Sequence, residues 1–410
     1  MRSLHFVCIW FWLSLVCSED TPSVSNFIRR SGQAGEYLYI QGGQIQELND
    51  GYNDSTSPTL LQVNDTLSLS LAEEWTNITA SFISTPGPAP AFRGEDLWVD
   101  QQSFYMWGGQ APNGNLTTLR ALWMFTVDGR GSGDWSTPSP NNDAIFTGIR
   151  RGNGASWTTC GGYGLALGGF GWAWTDFAFS DWNTQDGFLP LPGLLSYEIS
   201  SRTWANESAN GFNGLGTSHF GEAACLPSSG TNGTGIFLPL GGQTSGLTTF
   251  SRYGDPLNNF NNLSFFDIAT QTWHWQTTTG VIPPGRVDSC VVGVQGQNDT
   301  YEIFMYGGLD PLTSKSFGDV YALSIPGFVW TKFNISQEFS RWEHSCTIGG
   351  KSQMIIVGGF DNSTDHPTPD PWSQGLGVFD LIALDWGSSY QLNASDYKTP
   401  SAISDWYNTG

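Results

Sequence analysis

A short apolar run that ends in two adjacent glycines occurs six times in this chain of 410 residues. Each run is rich in aromatic and branched residues, which is typical of a buried strand, and the glycine pair indicates a tight turn at its end. A motif that returns along the whole chain predicts a repeat architecture. The six pairs are Gly42-Gly43, Gly108-Gly109, Gly168-Gly169, Gly241-Gly242, Gly307-Gly308 and Gly358-Gly359.

A second apolar run and then a tryptophan follow each glycine pair. The second runs begin at Leu67, Leu122, Leu194, Leu263, Val320 and Leu376, and the tryptophans are Trp75, Trp135, Trp204, Trp273, Trp330 and Trp386. Another candidate strand precedes each pair, so each repeat is predicted to hold four strands, a to d, with Gly-Gly ending b and Trp on d. Small twisted sheets bury both faces by packing around an axis. The sequence therefore predicts an all-β, six-bladed propeller with four-stranded antiparallel blades.

The series of Gly-Gly, apolar run and Trp resembles the kelch repeat, over roughly residues 27 to 390. More narrowly, the chain is similar to the ectodomains of filamentous-fungal surface kelch proteins. The resemblance implies a kelch propeller over 27–390, preceded by a short segment, 19–26, and followed by a segment, 391–410, that closes the ring or leads to an anchor. Strand a of blade 1 is expected within Phe27 to Ala34, and Pro400 to Tyr407 is a candidate closing strand.

The first residues are typical of a secretion signal. Arg2 precedes an apolar run from Phe6 to Val16 that is too short to span a membrane, and small residues favour cleavage after Ser18, so residues 1–18 are predicted to be removed. A lipid-anchored Cys17 is a weaker alternative, because Val16 is unfavourable before a lipidated cysteine. After residue 18 no apolar run of membrane-spanning length follows.

N-glycosylation sequons give independent support for secretion. We predict a glycoprotein that is secreted, or held at the cell surface if an anchor follows. The eleven acceptor asparagines are Asn53, Asn64, Asn77, Asn115, Asn206, Asn232, Asn262, Asn298, Asn334, Asn362 and Asn393.

The charge balance excludes some classes of partner. The chain has 16 Lys and Arg against 37 Asp and Glu, a net charge of -21. Such a chain offers no cationic surface to displace phosphate counterions, so nucleic acid and anionic lipid are not expected as ligands. We expect a monomer without a cofactor.

Four cysteines fall at matching places in strand a of blades 3 to 6. Cys160, Cys225, Cys290 and Cys346 are separated by 65, 65 and 56 residues. Cysteines at repeat spacing fit equivalent core positions as buried thiols. In a secreted protein they fit disulfides between adjacent blades equally well, and four cysteines allow three pairings. The sequence leaves this choice open, whereas a metal site is not expected from separate blades.

Strand a opens with a recurrent Arg-x-acid pattern. It occurs at Arg93, Arg286 and Arg341, while Arg29, Arg30, Arg150 and Arg151 lie in the same region of blades 1 and 3 and Phe220-Gly221-Glu222 keeps only the acid. Because strand a lines the channel of a propeller, these groups are expected to ring one of its mouths. One interpretation is a set of ion pairs that tie blade to blade. The other is a binding site for an anion or carboxylate at the mouth.

The loop after Gly169 is unusually aromatic. Such loops connect strands b and c, and they should emerge on the same face as the d–a connections between blades. Exposed rings at this density favour a protein-binding or sugar-stacking surface, and Arg252 and Tyr253 of blade 4 are expected on the same face. The alternative is that the loop folds over the blade and buries its own rings. The aromatic residues are Phe170, Trp172, Trp174, Phe177, Phe179 and Trp182.

Catalytic motifs are weak throughout the chain. There is no zinc-ligand spacing, phosphate-binding loop or Gly-x-Ser-x-Gly elbow. We therefore predict a non-catalytic scaffold that binds a surface protein or a wall polysaccharide. The alternative from another class is a secreted copper-radical oxidase similar to galactose oxidase. Such kelch propellers use a tyrosine crosslinked to a cysteine and two histidines.

Overall fold

A computed structural model describes residues 24–47, 60–111, 116, 120–180, 188–360 and 370–409 of the chain. It forms a six-bladed β-propeller in which each blade is an antiparallel sheet with spatial order a-b-c-d. This confirms the predicted fold class. The predicted signal peptide, Trp182, Asn53, Asn115 and Asn362 lie outside the described residues.

The strands have the following bounds, from blade 1 to blade 6. Strands a are Val24–Ala34, Arg93–Val99, Ser156–Cys160, Glu222–Leu226, Cys290–Gln295 and Ser345–Gly349. Strands b are Tyr37–Glu47, Ser103–Gln110, Tyr163–Leu167, Ile236–Leu240, Tyr301–Tyr306 and Gln353–Val357. Strands c are Thr66–Ser70, Trp123–Val127, Leu194–Glu198, Asn262–Asp267, Val320–Ile325 and Leu376–Asp380. Strands d are Phe82–Thr85, Gly133–Ser136, Thr203–Glu207, Thr272–Thr277, Val329–Lys332 and Asp385–Gly387.

Short elements decorate the loops. Two-residue ladders join Phe170–Gly171 to Leu189–Pro190 and Leu309–Asp310 to Lys315–Ser316, Leu60–Gln62 extends blade 1, and Thr279–Gly280 adds in parallel to strand d of blade 5. The α-helices are Asp143–Phe146, Asn210–Asn213 and Ser401–Thr409, and the 3-10 turns are Phe177–Phe179, Thr231–Gly233 and Ser373–Gly375. Within the described residues, no helix has both the length and the apolar character needed to cross a membrane.

The a strands surround the central axis. Strand a of each blade packs beside strand a of the next, and strand a of blade 6 packs beside strand a of blade 1. The b–c loops and the d–a connections therefore emerge together at one end of the channel, which we call the loop face. The ring positions every side chain that is discussed below.

Both glycines of every pair have a positive φ, between 64° and 104°. Residues with a side chain rarely adopt this conformation, which explains why the motif is glycine in each blade. The turn also links the blades, since the second glycine donates its N–H to a carbonyl of the following blade. Five such bonds, of 2.7–2.8 Å, join Gly43 to Phe92, Gly109 to Gly152, Gly169 to Ser218, Gly242 to Arg286 and Gly308 to Arg341.

The tryptophan of strand d packs against the preceding blade. Trp204 contacts Trp107 of blade 2 with ring centroids 4.7 Å apart, and Trp386 contacts Tyr306 of blade 5 at 4.9 Å. Aromatic pairs of this kind stabilise the packing beyond the apolar area that they bury. The wedge between blades predicted for these tryptophans is thus observed in these two blades.

Blade 1 departs from the predicted pattern. Its strand d is Phe82–Thr85, and Trp75 lies before it in a segment, Trp75–Thr76, that pairs with Ser389–Tyr390 near the C-terminus. The prediction that Trp75 lies on strand d is therefore wrong. The physical reason is ring closure: Trp75 stacks on Tyr390 at 5.3 Å, and the Tyr390 hydroxyl donates to the Leu71 carbonyl.

The segment Pro400 to Tyr407, a candidate closing strand, is instead helical from Ser401 onward, in the C-terminal helix Ser401–Thr409. The Tyr407 hydroxyl accepts the N–H of Gly327, and Thr399 Oγ1 accepts the N–H of Gln297. Both acceptors reach turns of blade 5 on the side opposite the loop face. The C-terminal segment thus binds to blade 5 on the face of the propeller opposite the loop face.

Two disulfides join adjacent blades. Cys160 pairs with Cys225 between blades 3 and 4, and Cys290 pairs with Cys346 between blades 5 and 6. The sequence left thiols and disulfides open, and the structure selects disulfides between equivalent a strands.

Candidate ligand-binding face and channel mouth

The entry into strand a repeats the same backbone geometry in five blades. In each of these blades a residue that precedes strand a accepts, through its carbonyl, the N–H of the second glycine of the preceding blade. The residue two positions after this acceptor has a positive φ. In blades 3 to 6 these later residues are linked by hydrogen bonds, from Phe220 N–H to Gly154, from Asp288 N–H to Phe220 and from Glu343 N–H to Asp288. The residues with positive φ are Gly94, Gly154, Phe220, Asp288 and Glu343, and all of them line the channel mouth on the loop face.

This geometry shows that the Arg-x-acid pattern is not equivalent in all three blades. Arg286 and Arg341 are themselves the carbonyl acceptors, whereas in blade 2 the acceptor is Phe92 and Arg93 comes one residue later. A shift of one residue along an extended chain turns a side chain to the other side. Arg93 therefore lies at the mouth, while Arg286 and Arg341 point into their blades.

Arg286 and Arg341 are buried clamps, with 0% and 1% of their side chains exposed. Arg341 Nη1 donates to the Gly358 carbonyl, and its guanidinium meets both carboxylate oxygens of Asp370, at 3.0 and 2.8 Å. Arg286 Nη1 likewise donates to the Gly307 carbonyl and to Asp319, at 2.9 and 2.7 Å. Each clamp ties the glycine turn to an aspartate that precedes strand c in its own blade. The expectation that Arg286 and Arg341 ring the mouth is therefore wrong, and so is their assignment as pairs between blades.

Arg252 occupies the mouth instead. It comes from the b–c loop of blade 4 and bridges the carboxylates of Asp288 in blade 5 and Glu343 in blade 6. Its guanidinium lies 4.4 Å from the Phe220 ring and 5.2 Å from the Trp342 ring. Burial lowers the pKa of Arg252, but the two carboxylates raise it by more, so the pKa of Arg252 is raised overall. Arg252 is thus a cation held between two rings and two acids.

Arg93 reaches the same acid from the opposite side of the channel. Its Nη2 lies 3.6 Å from Glu343 Oε1, and its side chain is 32% exposed. Arg252 and Arg93 therefore link blades 4 and 2 to blade 6. For Arg93 this agrees with the interpretation of ion pairs between blades, whereas Arg252 was expected on the loop face and not as such a pair.

Arg151 does not line the mouth. It is buried, its backbone N–H donates to Asp176, and its guanidinium lies 5.0 Å from the Phe92 ring. Burial lowers the pKa of Arg151 to about 10, against the attraction of Asp176. The side chain thus remains charged at neutral pH, as a packing element beneath the loop face.

The charged groups at the channel mouth bear on the second interpretation of the sequence, a binding site for an anion or carboxylate. In the described part of the mouth, Asp288 and Glu343 pair with Arg252, and Arg93 lies near Glu343. Glu222 and Arg93 line the same cavity of about 30 Å³. Both guanidiniums of the described mouth are thus already engaged by carboxylates of the protein.

The aromatic loop of blade 3 folds largely onto the blade. Trp172 is 6% exposed, and Trp174 is half-buried against it with ring centroids 4.4 Å apart. Trp172 contacts Phe188 at 5.2 Å, and a cluster with Phe170 and Phe250 completes the packing. The loop therefore buries most of its own rings, as the structural interpretation expected.

These rings continue across the loop face. We use the term aromatic belt for Trp174, Trp172, Phe188, Phe170, Phe220, Arg252, Trp342 and Phe360. Neighbours along the belt are 4.4–5.3 Å apart. The belt runs from blade 3, past the channel mouth, to blade 6.

The loop face also carries exposed apolar side chains. Tyr253, next to Arg252, is 73% exposed and Phe177 is 46% exposed. Seven of the twelve exposed large apolar side chains in the described structure lie in b–c loops or d–a connections, namely Ile145, Phe177, Leu215, Leu247, Tyr253, Val281 and Leu312. They add apolar surface to the loops of a rigid ring, where binding residues are commonly found.

His219 is a buried imidazole beneath the belt. Its Nε2 lies 2.6 Å from the Ser245 hydroxyl, and its ring centroid lies 4.3 Å from that of Phe250. Burial lowers the pKa of His219 to about 3. The side chain is therefore neutral at physiological pH.

The ligands of a copper-radical oxidase are not assembled in the described residues. No three His, Cys, Asp or Glu side chains are grouped there as metal ligands. Cys160, Cys225, Cys290 and Cys346 are all consumed by disulfides, so none of them has a thiol to crosslink with a tyrosine.

The predicted glycosylation sites lie at the surface. Seven of the eight acceptor asparagines within the described residues are exposed, and Asn77 is half-buried. The exposed ones are Asn64, Asn206, Asn232, Asn262, Asn298, Asn334 and Asn393.

Sequence reasoning missed Phe220 and Trp342 as walls of the mouth. It also grouped the acids Asp288 and Glu343 with their preceding arginines, although the acids face the channel and the arginines do not. Aligning the blades on the glycine pair reveals this difference, because it places Phe220, Asp288 and Glu343 at one equivalent position.

The comparisons with known proteins agree with the fold. The chain is 24% identical over 398 residues to a kelch repeat-containing protein of Arthroderma benhamiae, a match that covers 86% of this chain. The chain spans 55% of that relative's length. No protein-family model matches the chain. Together with the six-bladed propeller, the match confirms the predicted resemblance to kelch-repeat propellers.

Proposed function

We propose that this kelch-type propeller is a secreted or surface-exposed, non-catalytic scaffold that binds a protein partner through its loop face. The observation that carries the proposal is the exposed Tyr253 and Phe177 on the loop face, where Tyr253 follows Arg252 of the half-buried aromatic belt. Tryptophan, tyrosine and arginine dominate the binding energy of protein interfaces. A rigid ring that presents such groups on loops is suited to binding.

The partner's surface is expected to be basic and partly apolar. The described mouth carries three carboxylates against two guanidiniums, and the whole chain has a net charge of -21. Complementary charge steers association and suppresses unsuitable partners. Tyr253, next to Arg252, and Phe177, in the b–c loop of blade 3, supply exposed apolar side chains on the loop face.

Two observations support an extracellular location. Disulfides persist in oxidising compartments and are rare in the cytosol, and this propeller has two of them between blades. The exposed sequons are also compatible with glycans on the folded surface. Expression in a eukaryotic secretory host, with N-terminal sequencing of the medium protein, tests this part; a mature chain that starts at Glu19 is expected.

The binding test compares a loop-face variant with a matched control. Tyr253→Ala with Phe177→Ala removes two exposed rings from the loop face, and Ile78→Ala removes an equally exposed side chain, at 72%, between strands c and d of blade 1. The immobilised variants are challenged separately with an extract of cell-surface proteins and with insoluble wall polysaccharide.

We expect the wild type and Ile78→Ala to retain the same protein and the loop-face variant to lose it. Retention should weaken between about 0.05 and about 0.5 M salt, because salt screens charges at the partly exposed mouth. Equal capture by the loop-face variant would overturn the proposal. Capture from the polysaccharide alone would assign the face to a sugar ligand.

A further inference from the structure

Strand d of blade 4 presents an exposed tryptophan on the outside of the propeller. Trp275 is 70% exposed, far more than the half-buried Trp273 of the same strand. An indole at this exposure leaves a large apolar surface in water, at a cost in free energy. Trp275 lies in strand d, the outer strand of the blade, and is therefore not part of the loop face.

A glycosylation sequon lies beside this ring. In the register of strands c and d, Asn262 is opposite Thr277 and Ser264 is opposite Trp275. Side chains at these four positions project from the same face of the sheet, and Asn262 and Trp275 are diagonal neighbours. Diagonal neighbours lie about 7–8 Å apart, with their Cβ atoms somewhat closer, which is within reach of large side chains.

The Asn262 amide is tied to the neighbouring strand in the folded protein. Asn262 is exposed, and its Oδ1 accepts a 2.8 Å hydrogen bond from Thr277 Oγ1. The oxygen is thus held towards strand d, and Nδ2, the atom that carries a sugar, remains directed away from this bond. Nδ2 is thus not used by the contact with Thr277, and a glycan on it starts from the same sheet face that carries Trp275.

We propose that Trp275 is the stacking platform for the first N-acetylglucosamine units of an N-linked glycan on Asn262. Pyranose rings have an apolar face of C–H groups, and an indole face attracts such groups while both lose contact with water. The glycan covers Trp275, and Trp275 in turn restrains the glycan against strand d of blade 4. The proposal rests on the secretory part of the proposed function.

The attachment itself follows ordinary glycosyl transfer. A bond forms between Asn262 Nδ2 and C1 of the first sugar of a lipid-diphosphate-linked oligosaccharide. The bond from C1 to the diphosphate oxygen breaks, the lipid diphosphate leaves, and the amide gives up one proton. Stacking takes place after folding brings the two strands together.

Hydroxyl-radical footprinting of the secreted protein tests the stacking. The oxidation of Trp275 is measured by peptide mass spectrometry in the wild type, in Asn262→Gln and in Asn298→Gln. The last variant removes an exposed sequon in the a–b turn of blade 5. We expect Asn262→Gln to raise Trp275 oxidation roughly twofold or more, since a stacked sugar covers one of the two ring faces. Asn298→Gln should leave it unchanged.

A second readout does not depend on oxidation chemistry. Trp275→Ala and Asn262→Gln are combined in a double-mutant cycle of melting temperatures, in which stacking predicts non-additive effects. Equal Trp275 oxidation with and without the glycan, or additive melting temperatures, would overturn the proposal. If Asn262 were unmodified while other sequons carried glycans, only the stacking proposal would be overturned. If the chain carried no glycan at all, the secretory assignment would be overturned as well.

Discussion

The propeller uses arginine in two contrasting regions. In the interior of blades 5 and 6, Arg286 and Arg341 are fully enclosed and each holds a glycine-turn carbonyl and an aspartate of its own blade. At the channel mouth, Arg252 and Arg93 lie nearer to solvent and hold acids of other blades. The first region builds the blade, and the second joins blades around a surface that a ligand can reach.

This difference shows that the same Arg-x-acid pattern can either stabilise the interior of one blade or join different blades at the channel mouth. Arg93 and Arg341 both stand two residues before an acid, yet they differ by one position relative to the glycine turn of the previous blade. That position decides burial, and burial decides the energetic role of the charge. The comparison can be tested by changing one arginine at a time.

The largest effect is expected from the buried clamp. Arg341→Ala leaves Asp370 buried without its guanidinium, and breaking such a pair costs about 3–5 kcal/mol. Loss of the contact with the Trp372 ring, 4.2 Å from the guanidinium, adds to the cost. The unfolding free energy from denaturant titration measures it. Arg341→Lys, which keeps the charge but loses the bidentate geometry, should be intermediate. If Arg341→Ala were neutral, the distinction between clamp and mouth would fail.

A second large effect is expected from a buried base in the equivalent segment of blade 4. The pKa of His219 is lowered to about 3 in the folded protein by burial. As pH falls from about 6.5 towards 3, the unfolded chain binds a proton that the folded protein does not, so stability is lost. The loss is about 1.4 kcal/mol per pH unit, or roughly 3 kcal/mol at pH 4.5.

The measurement is the unfolding free energy of the wild type and His219→Gln between pH 7 and pH 4.5, under conditions in which both are folded at pH 7. Only the difference between their slopes reports on His219, because the acids titrate in both proteins. Parallel slopes would show that His219 is accessible to protons and does not belong with the buried arginines.

The repeat itself was predictable because its signals are local. Gly307 and Gly308 follow a buried strand and need positive φ, so composition and spacing alone place the turn. Strand c of blade 5, Val320–Ile325, has the bounds of the apolar run in the sequence. Each of these features depends on residues close together in the chain.

The exceptions depend on partners far away in the chain. Trp75 leaves strand d because Tyr390, more than three hundred residues later, stacks on it during ring closure. Arg252 could not be placed over Phe220 and Trp342 from spacing, because three blades must first converge on the axis. The sequence identified Asp288 and Glu343 as acids of the recurrent pattern. That their side chains face the channel could be inferred only after each blade was aligned on the glycine turn of the preceding blade.

A smaller effect is expected at Arg252. Arg252→Ala leaves Asp288 and Glu343 facing each other, but Arg93 remains 3.6 Å from Glu343 and water has access to the mouth. The cost should therefore be about 1–2 kcal/mol, less than for a fully enclosed pair. Arg252→Met keeps the contacts with Phe220 and Trp342 while removing the charge, so denaturant titration of both variants separates packing from ion pairing. A cost equal to that of Arg341→Ala would show that the mouth is as closed as the blade interior.

The smallest effect is expected at Arg93, although it shares its sequence pattern with Arg341. Its contact with Glu343 is long and partly exposed, and such pairs contribute from nothing to about 1 kcal/mol. Arg93→Ala should therefore shift the urea midpoint only slightly, and the shift should shrink further when salt screens the pair. A loss as large as that of Arg341→Ala would mean that the pattern, and not the position relative to the glycine turn, determines the role of the arginine. A small loss would leave Arg93 free of a structural requirement, so that its side chain is available to tune the charge of the mouth for a ligand.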